Sequence, residues 1–155
     1  MSSRLIGWVA LADAACEAAG AAGVPQVVSL GALDMVNFGP RETVPPQFEG
    51  RNLYVHNPTI TLMRTTPEEC GELGRTIGRK LSGAHGPTVL FVPLKGVSMI
   101  DVEGQPFYDA DADAALFAGL HDTLDSSVEV HEVDTDINDP AFATAMADRL
   151  HELLA

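Results

Sequence analysis

Apolar residues along the chain follow two different spacings, which predict strands and helices in alternation. Short β-branched or uniformly apolar runs predict strands at residues 25–30, 52–56, 87–94 and 128–133. Helical spacing of apolar residues predicts helices at 5–22, 67–81, 111–125 and 140–154. Because strands and helices alternate, we expect one α/β domain over residues 1–155, a three-layer Rossmann-like fold with a mainly parallel sheet. We expect residues 1–23 to form its N-terminal helix and residues 24–155 its core.

The second helix has the clearest local signals. Thr66 suits the N-cap, Pro67 the first helical position and Glu69 the partner in a capping box. Gly74 and Gly78 fall on its apolar stripe, which predicts a close backbone approach to the sheet. In the last helix Asp139 and Pro140 predict the start, and the inward stripe is Phe142, Met146, Leu150, Leu153 and Leu154.

Polar loops follow each predicted strand, at residues 31–51, 57–66, 95–110 and 134–139. The loop at 95–110 contains Glu103-Gly104, which predicts a tight turn. In parallel α/β sheets, ligands bind in the crevice beyond the carboxyl ends of the strands. We therefore expect the loops to bring polar residues together at one edge of the sheet. The densest polar set lies between residues 34 and 66: Asp34, Asn37, Arg41, His56, Asn57, Thr59, Thr61, Arg64, Thr65 and Thr66.

The net charge of −13 is concentrated in the last third of the chain. Acidic and basic side chains cancel over residues 1–100, whereas Arg149 is the only Lys or Arg beyond residue 100. This distribution argues against a nucleic acid as partner, because few cations are present to replace its counterions. The acidic third is either a solvated surface or a region that binds a divalent metal.

Other sequence features predict a soluble cytoplasmic protein. No apolar run is long enough for a membrane span, and the Ala-rich N-terminus does not resemble a signal peptide. Cys16 and Cys70 lie far apart in helical patterns, which suits reduced thiols. No Cys or His pair has zinc-ligand spacing, and no standard phosphate-binding or nucleophile motif is present. Whether the protein is an enzyme is left open.

Four segments resemble the Tm-1-like ATP-binding domain family (UPF0261), named after a tomato virus-resistance protein. They are GALDMVNFG (31–39), LYVHNPTITLMRTT (53–66), PLKGVSMIDVEGQPFYDADADAAL (93–116) and INDPAFA (137–143). Family members look like two Rossmann-like halves, and this sequence resembles the second half. The resemblance implies nucleotide binding, with ATP and Mg²⁺ as candidates, and no named reaction. Asp136 stands where the family pattern has His.

The resemblance and the loop positions together give a set of candidate ligand-binding residues. Arg41 and Arg64 suit a phosphate or carboxylate, because a guanidinium is a rigid two-pronged donor. The helix start at 66–69 would add N–H groups for an anion. His56 is a candidate general acid or base, although a strand-end His is more often structural. The full candidate set is Asn37, Arg41, His56, Asn57, Thr59, Arg64, Lys95, Ser98, Asp101, Asn138 and Asp139.

Three of these candidates have alternative interpretations. Asp101 could hold Mg²⁺ or a ribose hydroxyl, and is the one weak metal candidate. Lys95 could reach a phosphate or remain solvated. Asn138 and Asp139 are equally explained as an ordinary helix start.

Two classes of function follow. The first is a nucleotide- or phosphometabolite-binding domain that takes a small anionic ligand. The second is a non-catalytic interaction subunit, which pairs with itself or with a separate first-half chain. Leu5, Ile6, Trp8, Val9 and Leu11 are too many for one narrow inward stripe, so we expect a homodimer with residues 1–15 in its interface.

Overall fold

A computed structural model describes residues 17–155 and shows an α/β fold. The strands are β1 (Gln26–Ser29), β2 (Met35–Phe38), β3 (Leu53–Asn57), β4 (Ile60–Arg64), β5 (Thr88–Pro93) and β6 (Glu129–Val133). The helices are α1 (Pro67–Ser82), α2 (Ala110–His121) and α3 (Pro140–Leu154). Residues 17–21 are also helical. The rest of the helix predicted at 5–22, with Trp8 and Cys16, lies outside the described residues.

A parallel sheet with the strand order β1-β5-β6 forms the centre of the fold. The central strand β5 is buried along its whole length, as its uniformly apolar run predicted. Leu90 and Val92 pack in one cluster with residues of α1 and α2, whereas Val89 and Phe91 pack with Phe142 of α3. Helices therefore cover both faces of this sheet, and the predicted layered α/β architecture is confirmed.

A second, antiparallel sheet with the order β2-β4-β3 is inserted between β1 and α1. It corrects two sequence predictions, because residues 31–51 and 57–66 were both expected to be loops. The first contains β2 and two short 3₁₀ turns, and the second contains β4, the central strand of this sheet. β4 was missed because its two polar residues, Thr61 and Arg64, are typical of an exposed loop in the sequence, whereas both are buried in the structure.

Helices α1 and α2 pack against each other at glycine positions. A Cβ atom on Gly74 would lie 2.1 Å from the Leu116 carbonyl oxygen, and one on Gly119 would lie 2.2 Å from the Gly71 oxygen. The prediction that Gly74 and Gly78 approach the sheet was therefore wrong, since both approach α2 or the turn that follows it. The glycines allow the backbones of α1 and α2 to approach closely. This packing offsets the cost of glycine in helix propensity.

Local capping follows the sequence closely. The Thr66 hydroxyl accepts from the Glu69 N–H at 3.2 Å, and Glu69 accepts from the Thr66 N–H at 2.8 Å. This is the predicted capping box, a type of contact that contributes about 1 kcal/mol. Asp139 caps α3 as predicted. Leu154 was expected to face inward but is 64% exposed, since it is the last residue of its helix.

Within residues 17–155, no helix is both long enough and apolar enough to cross a bilayer.

Candidate functional site

Three loops meet beyond the carboxyl ends of β1, β5 and β6. The Ala32 N–H donates to the Val97 oxygen at 2.8 Å, which joins the loops after β1 and β5. The Lys95 N–H donates to the Thr135 oxygen at 2.9 Å, which joins the loops after β5 and β6. In the loop after β5, Gly104 has a φ of 84° and the Gln105 N–H donates to the Val102 oxygen, so the predicted turn at 103–104 is confirmed. Polar loops thus converge at this edge, as expected from the parallel sheet.

The Arg64 side chain, at the end of β4, forms the centre of a buried polar network. Its Nε donates to the Phe107 oxygen at 2.8 Å, and its Nη1 contacts the Thr65 hydroxyl and the Cys70 sulfur. Its Nη2 donates to Asp101 Oδ1 at 2.9 Å and to Asp113 Oδ1 at 2.8 Å. A guanidinium has no N–H group beyond those used here. The donors expected to bind an anion are therefore all occupied within the protein.

Asp101 and Asp113 are the carboxyl partners of Arg64. Asp101 is fully buried, and its Oδ2 accepts from the Val97 N–H at 3.1 Å. Burial and the neighbouring Asp113 charge raise the pKa of Asp101 to about 7, against the opposing effects of the Val97 N–H and Arg64. Burial likewise raises the pKa of Asp113, although its hydrogen bond to Arg64 opposes the change. Despite its burial, the guanidinium of Arg64 keeps a raised pKa because Asp101 and Asp113 stabilise its charge.

Asp34 and Ser98 extend the same network. The Ser98 hydroxyl donates to Asp34 Oδ2 at 2.7 Å and accepts from the Ile100 N–H at 3.2 Å. Asp34 is fully buried, and its Oδ1 has no hydrogen-bond partner among residues 17–155. Burial raises the pKa of Asp34 above its ordinary range. Burial is therefore the main reason why the pKa values of all three carboxyl groups rise, and the charge of Arg64 opposes the rise.

An open cleft of about 760 Å³ lies next to this network, at the carboxyl ends of β5 and β6. Its walls are the loop after β5, the first two turns of α2 and the loop after β6. The lining residues are Leu94, Lys95, Val102, Glu103, Tyr108, Ala110, Asp113, Ala114, Phe117, Asp134, Thr135 and Asp136. Both the size of the cleft and its place at the strand ends are typical of small-molecule sites.

The cleft lining is acidic. Among residues 17–155, Lys95 is the one cation of the lining, and its Nζ pairs with Asp134 Oδ2 at 2.8 Å. Glu103, Asp113 and Asp136 add further carboxyl groups. Asp113 belongs both to the cleft lining and to the Arg64 network, so it connects the two. The lining therefore suits hydroxyl groups or cations better than an uncomplexed anion.

Five of the sequence candidates lie on the second sheet or on the turns that connect its strands. His56, Asn57 and Thr59 form the turn between β3 and β4, where Asn57 Oδ1 accepts from the Thr59 N–H and hydroxyl. Thr59 is five residues before Arg64, which is roughly 16 Å along an extended strand. Asn37 is an exposed residue of β2. Asp101 and Ser98 form their hydrogen bonds with Arg64, Val97, Asp34 and Ile100 instead.

Arg41 is the fifth of these candidates. It is exposed and makes a two-pronged ion pair with Glu49, with distances of 3.0 and 2.6 Å. Hydrogen bonding to Glu49 raises the pKa of Arg41 above its ordinary value. Arg41 follows Gly39, whose oxygen accepts from the Thr61 N–H, so it lies toward the same turn as His56.

The remaining candidates lie at the cleft edge or cap helices. Asn138 is exposed, and its N–H donates to Asp136 Oδ1. Asp139 accepts from the Ala141 N–H and the Thr135 hydroxyl, which are structural contacts of a helix start. The start of α1, expected to offer N–H groups to an anion, is closed by its capping box and by Arg51, which pairs with Glu69. Lys95 alone among the predicted ligand residues lines the cleft.

Sequence reasoning missed Asp113, Glu103, Tyr108 and Thr135 as cleft residues. Asp113 had one usable signal, since it lies three residues before the buried Leu116 and therefore on the inner face of α2. Asp136 was noticed only as a departure from the family pattern. Between residues 17 and 155, no group of three or more His, Cys, Asp or Glu side chains is arranged to hold a metal ion. Both oxygens of Asp101 are already bonded within the protein.

Comparison with known proteins adds a family relationship. Residues 3–154 match the C-terminal domain of an uncharacterised protein family, UPF0261. A UPF0261 protein of Clostridium tetani is 55% identical over 139 residues, which are 89% of this chain and 34% of that protein. One from Rhizobium meliloti is 52% identical over 124 residues, 79% of this chain and 31% of that protein.

A plant protein is also similar. The ToMV resistance protein Tm-1 of Solanum lycopersicum is 40% identical over 132 residues, which are 84% of this chain and 18% of the tomato protein. The chain spans about a third of the length of the two bacterial relatives and less of the plant one. The predicted resemblance to this family is therefore confirmed.

Proposed function

The chain belongs to the UPF0261 family as its C-terminal domain, and on that basis we propose that its cleft binds a nucleotide or a related phosphometabolite. The observation that carries the proposal is the position of the cleft beyond the carboxyl ends of two parallel strands. That edge is where α/β sheets bind nucleotides. The family resemblance supports ATP as the first ligand to test.

Each part of such a ligand has a counterpart in the cleft. Carboxylates accept hydrogen bonds from ribose hydroxyls, and Asp113, Asp136 and Glu103 supply them here. Tyr108 is 48% exposed and offers an aromatic face for a base. Lys95 provides a positive charge for a phosphate.

The acidic lining makes Mg²⁺ part of the proposal. Free ATP would meet more carboxylates than cations in the cleft, whereas its magnesium complex carries less negative charge. Magnesium bound with a nucleotide needs only one or two protein carboxylates, since phosphates and water fill the other positions. Asp134, beside Lys95, is the carboxylate that would meet the ion.

Calorimetric titration tests this proposal. We expect ATP with Mg²⁺ to bind, ATP with a chelator to bind more weakly, and Lys95→Ala to weaken Mg-ATP binding about tenfold, or ~1.4 kcal/mol. Arg79→Ala is the matched control, because Arg79 is also an exposed cation with a carboxylate partner but lies on α1. No binding of Mg-ATP at millimolar concentration, or equal weakening by both variants, would contradict the proposal.

A homodimer and a cytoplasmic location are further proposals. The apolar residues at 5–11 support a self-pairing surface, and the buried free thiol of Cys70 suits a reducing compartment. Pairing with a separate first-half chain is the alternative for the same surface.

Light scattering tests the dimer. We expect a dimer mass at micromolar concentration for the wild-type protein and a monomer mass for Trp8→Glu. A wild-type monomer, or a dimer that Trp8→Glu leaves intact, would contradict the proposed dimer.

A further inference from the structure

The Arg64 network contains more carboxyl groups than its guanidinium can neutralise. Asp101 and Asp113 contact one guanidinium, and its charge also acts on the buried Asp34, so full ionisation would leave two uncompensated negative charges in the protein interior. Buried uncompensated charge is costly, and carboxyl groups in this situation keep a proton instead. The network therefore retains a proton at pH values where exposed aspartates are ionised.

The geometry indicates where that proton lies. Arg64 Nη2 contacts both Asp101 Oδ1 and Asp113 Oδ1, so these carboxyl groups are neighbours. Asp101 is the more deeply buried partner, whereas Asp113 reaches the cleft. This places the proton on Asp101 and the charge on Asp113.

We propose that Asp101 and Asp113 form an acid–base pair that shares one proton, and that the pair exchanges this proton with solvent when a hydroxyl group of a ligand in the cleft donates a hydrogen bond to Asp113. That hydrogen bond favours the charged form of Asp113, so a fraction of the shared proton leaves: a carboxyl O–H bond breaks, and water or buffer takes up the proton. No bond other than O–H forms or breaks, and nothing is oxidised. The ligand part of this inference rests on the proposed function, whereas the pair itself does not.

Several other groups face the pair and influence its titration. Arg64 of β4 provides the positive charge, Cys70 of α1 contacts the guanidinium, and Asp34 lies beyond Ser98. The charge of Asp109, at the start of α2, raises the pKa of Asp113. Two interacting carboxyl groups titrate as a unit, so the pair gives a signature that a single buried aspartate does not.

The pair can be tested in the ligand-free protein. Carboxyl carbon resonances of ¹³C-labelled aspartate should show Asp101 and Asp113 both responding to the same pH step near neutrality, the loss of the shared proton. In Asp113→Asn, the step of Asp101 should shift to lower pH because the neighbouring charge is gone. An unchanged step in that variant would overturn the sharing, as would a wild-type Asp113 resonance that does not respond to the step of Asp101.

The pH dependence of stability gives a second readout. The folded pKa of Asp101 is about 7 against an ordinary value of 3.8, so the unfolded chain loses this proton first. The Asp101 contribution should therefore reduce stability as the pH rises from about 4 to 7, and Asp101→Asn should remove that fall. A pH dependence that Asp101→Asn leaves unchanged would overturn the assignment of the proton.

Calorimetry of Mg-ATP binding in two buffers of different ionisation enthalpy tests the exchange. At pH 7 we expect a fraction of a proton to move with each ligand bound by the wild-type protein and none with Asp113→Asn. Binding without any proton movement overturns the exchange and leaves the proposed function standing. Absence of binding overturns the proposed function, and the titration of the free protein still decides the pair.

Discussion

Arg64→Met is expected to lower the free energy of unfolding by about 3–5 kcal/mol, because it leaves buried carboxyl groups without their cation. Asp101 is fully buried and Asp113 nearly so, and both contact the Arg64 Nη2 atom. Methionine keeps most of the aliphatic part of the arginine side chain. The loss of stability therefore reflects the missing charge and hydrogen bonds more than the formation of a cavity. Urea unfolding at pH 7 measures the change.

Arg41→Met is the matched control for this substitution. Arg41 also has a carboxylate partner, but both members of that pair are exposed to solvent. Such pairs contribute about 0–1 kcal/mol. The triple variant Arg64→Met, Asp101→Asn, Asp113→Asn should recover part of the stability, because neither of the two carboxyl groups that contact Arg64 then carries a charge. Similar small losses in Arg64→Met and Arg41→Met would show that Arg64 is not structural.

Gly74→Ala is expected to destabilise the protein by about 3 kcal/mol or more, although alanine is the better helix former. The new Cβ would lie 2.1 Å from the Leu116 oxygen and 2.8 Å from the Leu120 nitrogen, both backbone atoms of α2. Neither atom can move without separating the two helices. Thermal or urea unfolding would record the loss.

Gly71→Ala provides the control within the same helix. A Cβ at Gly71 has its nearest neighbour at 3.5 Å, which is an ordinary contact. We therefore expect Gly71→Ala to be neutral or to stabilise by up to about 1 kcal/mol through helix propensity. Stabilisation by both substitutions would contradict the close approach of α1 and α2 at Gly74 that the structure shows.

The elements that sequence predicted well are those whose signals are local. The start of α1 was recognised because Thr66, Pro67 and Glu69 form their capping contacts within four residues. Strand β5 was recognised because its residues are all buried and nearly all apolar. In both cases the residues that determine the element are neighbours in sequence.

Strand β4 was missed because its determinants are distant in sequence. Thr61 and Arg64 are polar, and Arg64 is buried through contacts with residues 101, 107 and 113. Because these partners are distant in sequence, the sequence showed no partner for Arg64. An arginine without a partner in a polar loop suggests an anion site, so Arg64 was predicted to be a ligand residue. Only the tertiary structure shows that its donors are used.

The sequence predicted that polar loops converge at one edge of the sheet, but it did not predict most of the residues that line the cleft there. The parallel topology brings Lys95, Asp134 and Asp136 together as expected for strand ends. His56, Asn57 and Thr59 instead lie at a turn of the inserted sheet, which the sequence did not reveal. Asp113 was overlooked because it resembles its exposed neighbour Asp111, and their burial differs only through the packing of α2.

The proposal that ligand binds in the cleft, and not at the turn between β3 and β4, can be tested by amide NMR spectra recorded during a Mg-ATP titration. The proposal predicts concentration-dependent shifts at residues 94–110 and 134–136, with small changes at residues 56–59 and at Arg41. Shifts concentrated at residues 56–59 and Arg41, with the cleft residues unchanged, would contradict it.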